Sequence, residues 1–225
     1  MKAKSKRYKA EAEQVNKEAL SLEAAVDKIK SFTSVKFDQT VELVLQLGID
    51  PKQADQLVRG SLSLPHGVGK QKRVIAFCPD EDVEPAKKAG AVEAGTDDLI
   101  QKITDGWMDF DVAVASPRVM GKAGKLGRIL GPQGKMPSPK NGTVTDDVAT
   151  AVSEFTAGKI EFRNDAGGNV HAVVGKQSFE KKKLVENIEA FVSHIKKVKP
   201  AAAKGTYIKK ACVSATMSPG VQVSV

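Results

Sequence analysis

The run from Met120 to Gly142 sets Gly121, Gly124, Gly127, Gly131, Gly134 and Gly142 among Lys122, Lys125, Arg128, Lys135 and Lys140, with no acidic residue inside it. Glycine lets a backbone approach a ligand closely, and unopposed cations attract phosphate. Such a run suits the holding of an anion rather than the making of a bond. Neither phosphate fingerprint of nucleotide sites, G-x-G-x-x-G or G-x-x-x-x-G-K-[ST], can be threaded through it. Gly121-Lys122-Ala123-Gly124 and Gly131-Pro132-Gln133-Gly134 match the short G-x-x-G clamp of KH domains, a pattern of low specificity. A solvated loop that binds nothing is the other reading.

Other chemistry-bearing residues are scattered. His66 falls in a linker, His171 on a strand and His194 on a helix, and no nucleophile stands beside a base. A dinucleotide-dependent enzyme therefore lacks both its fingerprint and a catalytic set. Cys78 and Cys212 have no partner at metal-ligand spacing and read as buried thiols. Asp80-Glu81-Asp82 reads as a solvated turn, and Trp107 and Met108 as packing residues. Lys181-Lys182-Lys183 is either a solvated face or a nonspecific phosphate contact. No catalytic residue, metal or cofactor is expected.

The elements that must carry these residues fall into three regions. Residues 1–67 begin with a basic arm, Lys2, Lys4, Lys6, Arg7 and Lys9, followed by a helix with Leu22, Val26 and Ile29 on one face and Ser21 as cap. A strand follows, in which Val41, Leu43, Leu45 and Leu47 alternate. Leu64-Pro65-His66-Gly67-Val68-Gly69-Lys70 breaks every period and reads as a link. Residues 68–157 alternate short strands (74–78, 91–94, 112–115) with helices (84–89, 97–103 and one capped by Thr145 or Asp146), the pattern of a small three-layer α/β lobe. Residues 158–225 read as a β-hairpin (159–163 and 170–174), a long helix capped by Ser178 with Leu184, Ile188, Phe191 and Ile195 on one face, and a strand from Tyr207 to Met217. Neither end can cover a sheet alone. The expected fold class is thus α/β and α+β in two domains: a discontinuous α+β domain from residues 1–67 and 158–225, and an α/β domain inserted at 68–157 with the links acting as a hinge.

Charge separates the regions further. Of the net +8, residues 1–69 hold +2, residues 70–156 hold −1 and residues 157–225 hold +7. The middle lobe is acidic apart from its Gly/Lys run. No stretch approaches the roughly 18 apolar residues of a membrane span, and the N-terminus lacks the apolar core of a secretory signal. Glu11 and Glu13 argue against an organellar presequence, so a cytoplasmic protein is expected.

Leu126 to Val144, with its Leu-Gly-Arg-Ile-Leu-Gly-Pro-Gln-Gly-Lys-Met-Pro-Ser-Pro-Lys-Asn-Gly core, resembles the signature of the bacterial ribosomal protein L-one family. The segments 35–38, 63–67, 105–111, 160–165, 174–179 and 216–219 resemble that family in order and spacing, so the likeness spans the chain. It implies a discontinuous domain with the main rRNA face, an inserted Rossmann-like domain, and a monomer when free. It further implies binding to large-subunit rRNA at the mobile stalk, help in releasing deacylated tRNA from the exit site, and repression of the protein's own operon mRNA. A free KH-like mRNA regulator differs from this chiefly in not residing on the ribosome.

Carried over by position, the resemblance places Lys36, Phe37, His171, Lys176, Ser178, Phe179, Thr206, Thr216 and Met217 on the RNA face. Lysines meet phosphates, hydroxyls bond phosphate or ribose 2′-hydroxyls, and aromatic rings pack on ribose or base. On sequence alone Phe37 and Phe179 are equally well core residues, Ser178 a helix cap and His171 a surface strand residue. Lys122, Lys125, Arg128, Lys135 and Lys140 become a secondary contact with stalk rRNA or exit-site tRNA. The chain departs from the family's common residues at Ser218 (Gly), Gln133 (Arg), Lys135 (hydrophobic), Ser138 (Asn) and Arg118 (Asp).

Overall fold

The computed structural model describes residues 5–15, 18–32 and 35–224. Lys2 and Lys4 of the basic arm lie outside these. The chain divides into two compact units, one formed by Met1–Gly69 with Ile160–Val225 and the other by Lys70–Lys159.

In the first unit, Ser5 caps α1 (Lys6–Glu13) and Ser21 caps α2 (Leu22–Ser31), each hydroxyl accepting a backbone N–H of the first turn. Then come β1 (Thr40–Leu47) and the short β2 (Arg59–Leu62). The second unit runs through β3 (Val74–Phe77), α3 (Asp80–Lys88), β4 (Glu93–Gly95), α4 (Asp97–Thr104), β5 (Val112–Ala115), α5 (Met120–Ala123), α6 (Gly127–Leu130) and α7 (Val148–Ala157). The chain then re-enters the first unit with β6 (Ile160–Arg163), β7 (Asn169–Lys176), α8 (Lys181–Lys197), β8 (Ile208–Ala215) and β9 (Val221–Val223). No helix among the described residues is long and apolar enough to cross a membrane.

The first unit is built on an antiparallel sheet in the order β7-β1-β8-β9. Period-two alternation sends Val41, Leu43, Leu45 and Leu47 of β1 and Ala211, Val213 and Ala215 of β8 to one face. There they meet Ala25, Val26 and Ile29 of α2 and Leu184, Ile188, Phe191 and Ile195 of α8. Asn187 is fully buried in this core and fully bonded. It donates to the carbonyls of Gly67 (3.0 Å) and Val174 (2.8 Å) and accepts from the His66 N–H (3.1 Å). It thereby fastens the link at 66–67 to α8. Asn187→Leu strands three polar groups in an apolar core and is expected to lower stability to chemical denaturation by about 3 kcal/mol. A loss below about 1 kcal/mol would mean that this bonding is dispensable.

The second unit is a parallel sheet in the order β4-β3-β5 with both faces covered. Val74, Ala76, Val112 and Val114 face α3 and α7, while Ile75, Phe77, Ala113 and Ala115 face α4 and the segment after β5.

Several expectations are corrected. The stretch at 159–163 does not form a hairpin ladder with 170–174: β6 pairs with β2 and β7 with β1, and the turn between them is closed by one antiparallel bridge, Asn164 to Val170, and by bonds from Asp165 to Gly167 and Asn169. The helix expected at 84–89 starts at Asp80, whose acidic neighbours Glu81 and Asp82 complete a first turn where negative charge is favoured. The strand expected at 91–94 is Glu93–Gly95, and Asp147 rather than Thr145 or Asp146 caps α7. Ser178 does not cap α8, whose N-cap is Glu180. Cys212 is not a buried thiol but a partly exposed one.

The largest correction concerns the Gly/Lys run. Its first half is mostly helical, because Ala123, Leu126 and Leu130 sit near helical spacing and are buried against the sheet. Gly121, Gly124 and Gly127 have open space around them, and of the run's glycines only Gly134 and Gly142 take positive φ. Most of these glycines are therefore not the joints of a phosphate-wrapping loop.

Candidate RNA interface

The face of the four-stranded sheet opposite α2 and α8 carries the complementary alternation. Successive rows across β7, β1 and β8 read Lys176, Thr40 and the turn residue Thr216; then Val173, Glu42, Ser214; then His171, Val44, Cys212; then Asn169, Gln46, Lys210. All of these are exposed or partly exposed. A polar, hydroxyl-bearing sheet of this kind offers donors and acceptors over a broad surface.

One end of the sheet concentrates the chemistry. The Lys176 ammonium donates to the Thr40 hydroxyl at 2.8 Å and keeps two further donors. The Thr216 hydroxyl accepts the Thr40 N–H at 3.0 Å, so it also closes the end of the β1–β8 ladder. The Met217 N–H goes to the Gln39 side chain (2.9 Å) and its carbonyl accepts from Arg7 (3.2 Å), and the residue is 46% exposed. Phe37 is 51% exposed and Lys36 is exposed beside it. The Ser178 hydroxyl and N–H both bond the Asp38 carboxylate, at 2.8 and 3.0 Å. Ser218 turns the chain after β8 by accepting the Ala215 N–H at 2.9 Å.

The spacing of these segments rests on two amides that sequence reasoning missed. Gln39 is buried and bonds the Gln177 side chain at 3.0 Å, and Gln177 donates to the carbonyls of Ile29 and Phe32 at the end of α2. Both glutamines adjoin singled-out residues, but only the fold shows that they join chain segments 138 positions apart. Thr40, Glu42 and Ser214 were also missed, although strand alternation alone places them on the face of Thr216.

Not every expected residue joins this end. Phe179 turns inward against Gly69 and Gly175, while Lys30 donates to its carbonyl. His171 lies mid-sheet opposite Val44, and Thr206 lies beside Gly48 at the far end, roughly 25 Å away along β1.

His171 stands 3.6 Å from Asp165. The Asn169 side chain and peptide, with the Gly167 peptide and the His171 ring, hold the Asp165 carboxyl down to about 2. Because that value lies below the ordinary 3.8, the stabilisation is present above pH 4 and is lost as pH falls through about 2. Between those limits the thermal midpoint of the native chain is expected to fall more steeply than that of Asp165→Asn. Parallel falls would contradict this assignment.

In the second unit, Lys122 pairs with Asp97 at 2.8 Å. Lys135 is partly buried: it donates to the carbonyls of Phe110 (2.6 Å) and Met108 (3.2 Å) and lies 4.8 Å from the Phe110 ring centroid. Its ammonium is thus a fastener of the 108–110 segment. Lys125, Arg128 and Lys140 remain exposed, with no ion pair among the described residues. The cleft of about 670 Å³ at the strand ends is bordered by Asp80, Asp97 and Asp98 at the starts of α3 and α4 and equally by Lys87, Arg118 and Lys122, a wall of mixed charge.

Residues 23–219 match the model of the Ribosomal protein L1p/L10e family. The chain belongs to this family. It is 57% identical to the large ribosomal subunit protein uL1 of Rhodopirellula baltica over the full length of both chains. Against the uL1 protein of Cutibacterium acnes it is 54% identical over 98% of this chain and 95% of the other, and against that of Thermobifida fusca 52% over 98% and 94%. The L1p/L10e family consists of structural RNA-binding proteins, not enzymes.

Proposed function

We propose that the chain is a structural constituent of the large ribosomal subunit in the cytoplasm, monomeric when free, and that its first unit binds large-subunit rRNA at the mobile stalk. The observation that carries the assignment of the site is the sheet end where exposed Phe37 and Met217 adjoin Lys36, Lys176 and the hydroxyls of Thr40, Thr216 and Ser178. Apolar side chains that pack on ribose or base, next to cations for phosphate and oxygens for 2′-hydroxyls, suit a folded RNA better than a small ligand. On this reading Lys125, Arg128 and Lys140 of the second unit form a secondary contact with stalk rRNA or exit-site tRNA and assist release of deacylated tRNA.

The same sheet end would bind the protein's own operon mRNA and repress its translation. A competition experiment tests the shared site. Unlabelled operator mRNA is expected to displace a labelled stalk rRNA fragment completely, with a midpoint set by its own affinity. A ternary complex of protein and both RNAs would exclude a single site.

A further inference from the structure

The end of the sheet remote from Phe37 carries a charge concentration that the site above does not use. Residues 196–210 contain Lys196, Lys197, Lys199, Lys204, Lys209 and Lys210 and no acidic residue. They span the last turn of α8, the connection after it and the start of β8, and all six are exposed. The ion pairs seen among the described residues of the first unit, such as those at His66, His171, Lys181 and Lys183, involve none of them.

Part of this cluster has a local explanation. Lys196 and Lys197 sit where a helix C-terminus favours cations, and Lys199 lies 5.8 Å from the Tyr207 ring centroid. Lys204 and Lys209 have no such role. They border an open recess of about 470 Å³ whose other wall, from the connection between β1 and β2, includes Asp50, Gln53 and Gln56. Asp50 already accepts the Lys52 N–H at 3.1 Å and the Gln53 amide at 3.3 Å.

We propose that this recess is a second RNA contact, in which Lys204 and Lys209 hold backbone phosphate and the Asp50–Gln56 wall meets ribose hydroxyls. Two lysines facing a carboxylate fit a ribose–phosphate backbone, whose hydroxyls donate to Asp50. An acidic peptide side chain brings charge to the lysines but no hydroxyl donor to that carboxylate. The recess lies at the Gly48 end of β1, roughly 25 Å from Thr40, and Lys210 and Gln46 continue the exposed sheet face toward it. An RNA seated on Phe37 and Lys176 and lying along the sheet reaches it. The inference rests on the RNA-binding reading of the first unit and adds a contact blind to base sequence.

The test is the double variant Lys204→Gln/Lys209→Gln of the full chain, titrated at several salt concentrations against a stalk rRNA fragment and an unrelated hairpin RNA. The expected result is a log K against log salt slope shallower by about 1.5 and affinity about tenfold weaker at low salt, by the same factor for both RNAs. The thermal midpoint should be unchanged. Unchanged slope and affinity would overturn the proposal, as would unchanged RNA binding with lost retention on polyglutamate, which would assign the patch to an acidic protein. Failure of the wild-type chain to prefer the stalk fragment would instead overturn the reading of the sheet end, while the slope difference would still report on the recess.

Discussion

Phe37→Ala is expected to weaken binding to a stalk rRNA fragment by about ten- to a hundredfold without moving the unfolding transition. The residue is 51% exposed and so contributes little to the core, and truncating such a surface residue changes stability by no more than about 0.5 kcal/mol. Aromatic stacking on a nucleotide base is worth about 1–3 kcal/mol, and each 1.4 kcal/mol is a factor of ten. Because no cation is removed, the salt dependence of binding should keep its slope. Phe179→Ala should behave in the opposite way, lowering stability because its ring fills the space beside Gly69 and Gly175. Paired titrations and melts of the two variants check both statements. A Phe37→Ala variant that melts early and binds normally would return that ring to the core.

Gly48→Ala is expected to lower the stability of the first unit by about 3 kcal/mol in chemical denaturation. The Gly48 N–H donates to the Tyr207 carbonyl at 2.6 Å, just where the β1–β8 register shifts between Gln46 and Leu47. A methyl at this position would stand inside the contact distance of the Thr206 carbonyl oxygen and 3.3 Å from Lys209 Cε. The lysine stem moves easily, but the Thr206 backbone does not, so β8 must shift along its start. A loss smaller than about 0.5 kcal/mol would mean that this end of the sheet is pliable.

The parts of the fold that were legible in the sequence are those where one period dominates. Val41, Leu43, Leu45 and Leu47 announced β1, and Leu184, Ile188, Phe191 and Ile195 announced the buried face of α8. The opposite alternation, Thr40, Glu42, Ser214 and Thr216, was equally readable and defines the candidate interface. Where glycine and proline interrupt a pattern, local signals misled. The spacing of Ala123, Leu126 and Leu130 is helical, yet Gly121, Gly124, Gly127 and Gly131 gave the segment the look of a loop.

Long-range partners were not legible. Nothing local distinguishes Lys135, held on the carbonyls of Met108 and Phe110, from the exposed cations Lys125 and Arg128. Phe37 and Phe179 look alike in sequence, and only the fold turns one outward and the other against Gly175. The Gln39–Gln177 pair is likewise a product of topology, joining the start of β1 to the segment after β7.

On the reading proposed above, the first unit recognises a particular folded RNA rather than attracting phosphate in general. The most direct measurement is the dissociation constant of the full chain for a stalk rRNA fragment and for an unrelated hairpin of equal length, taken at several salt concentrations. The expected result is a preference of at least about a hundredfold for the stalk fragment that persists as salt rises, on top of a salt-dependent attraction shared by both RNAs. Equal affinities converging on the same salt dependence would contradict it and leave only the charge of the lysines.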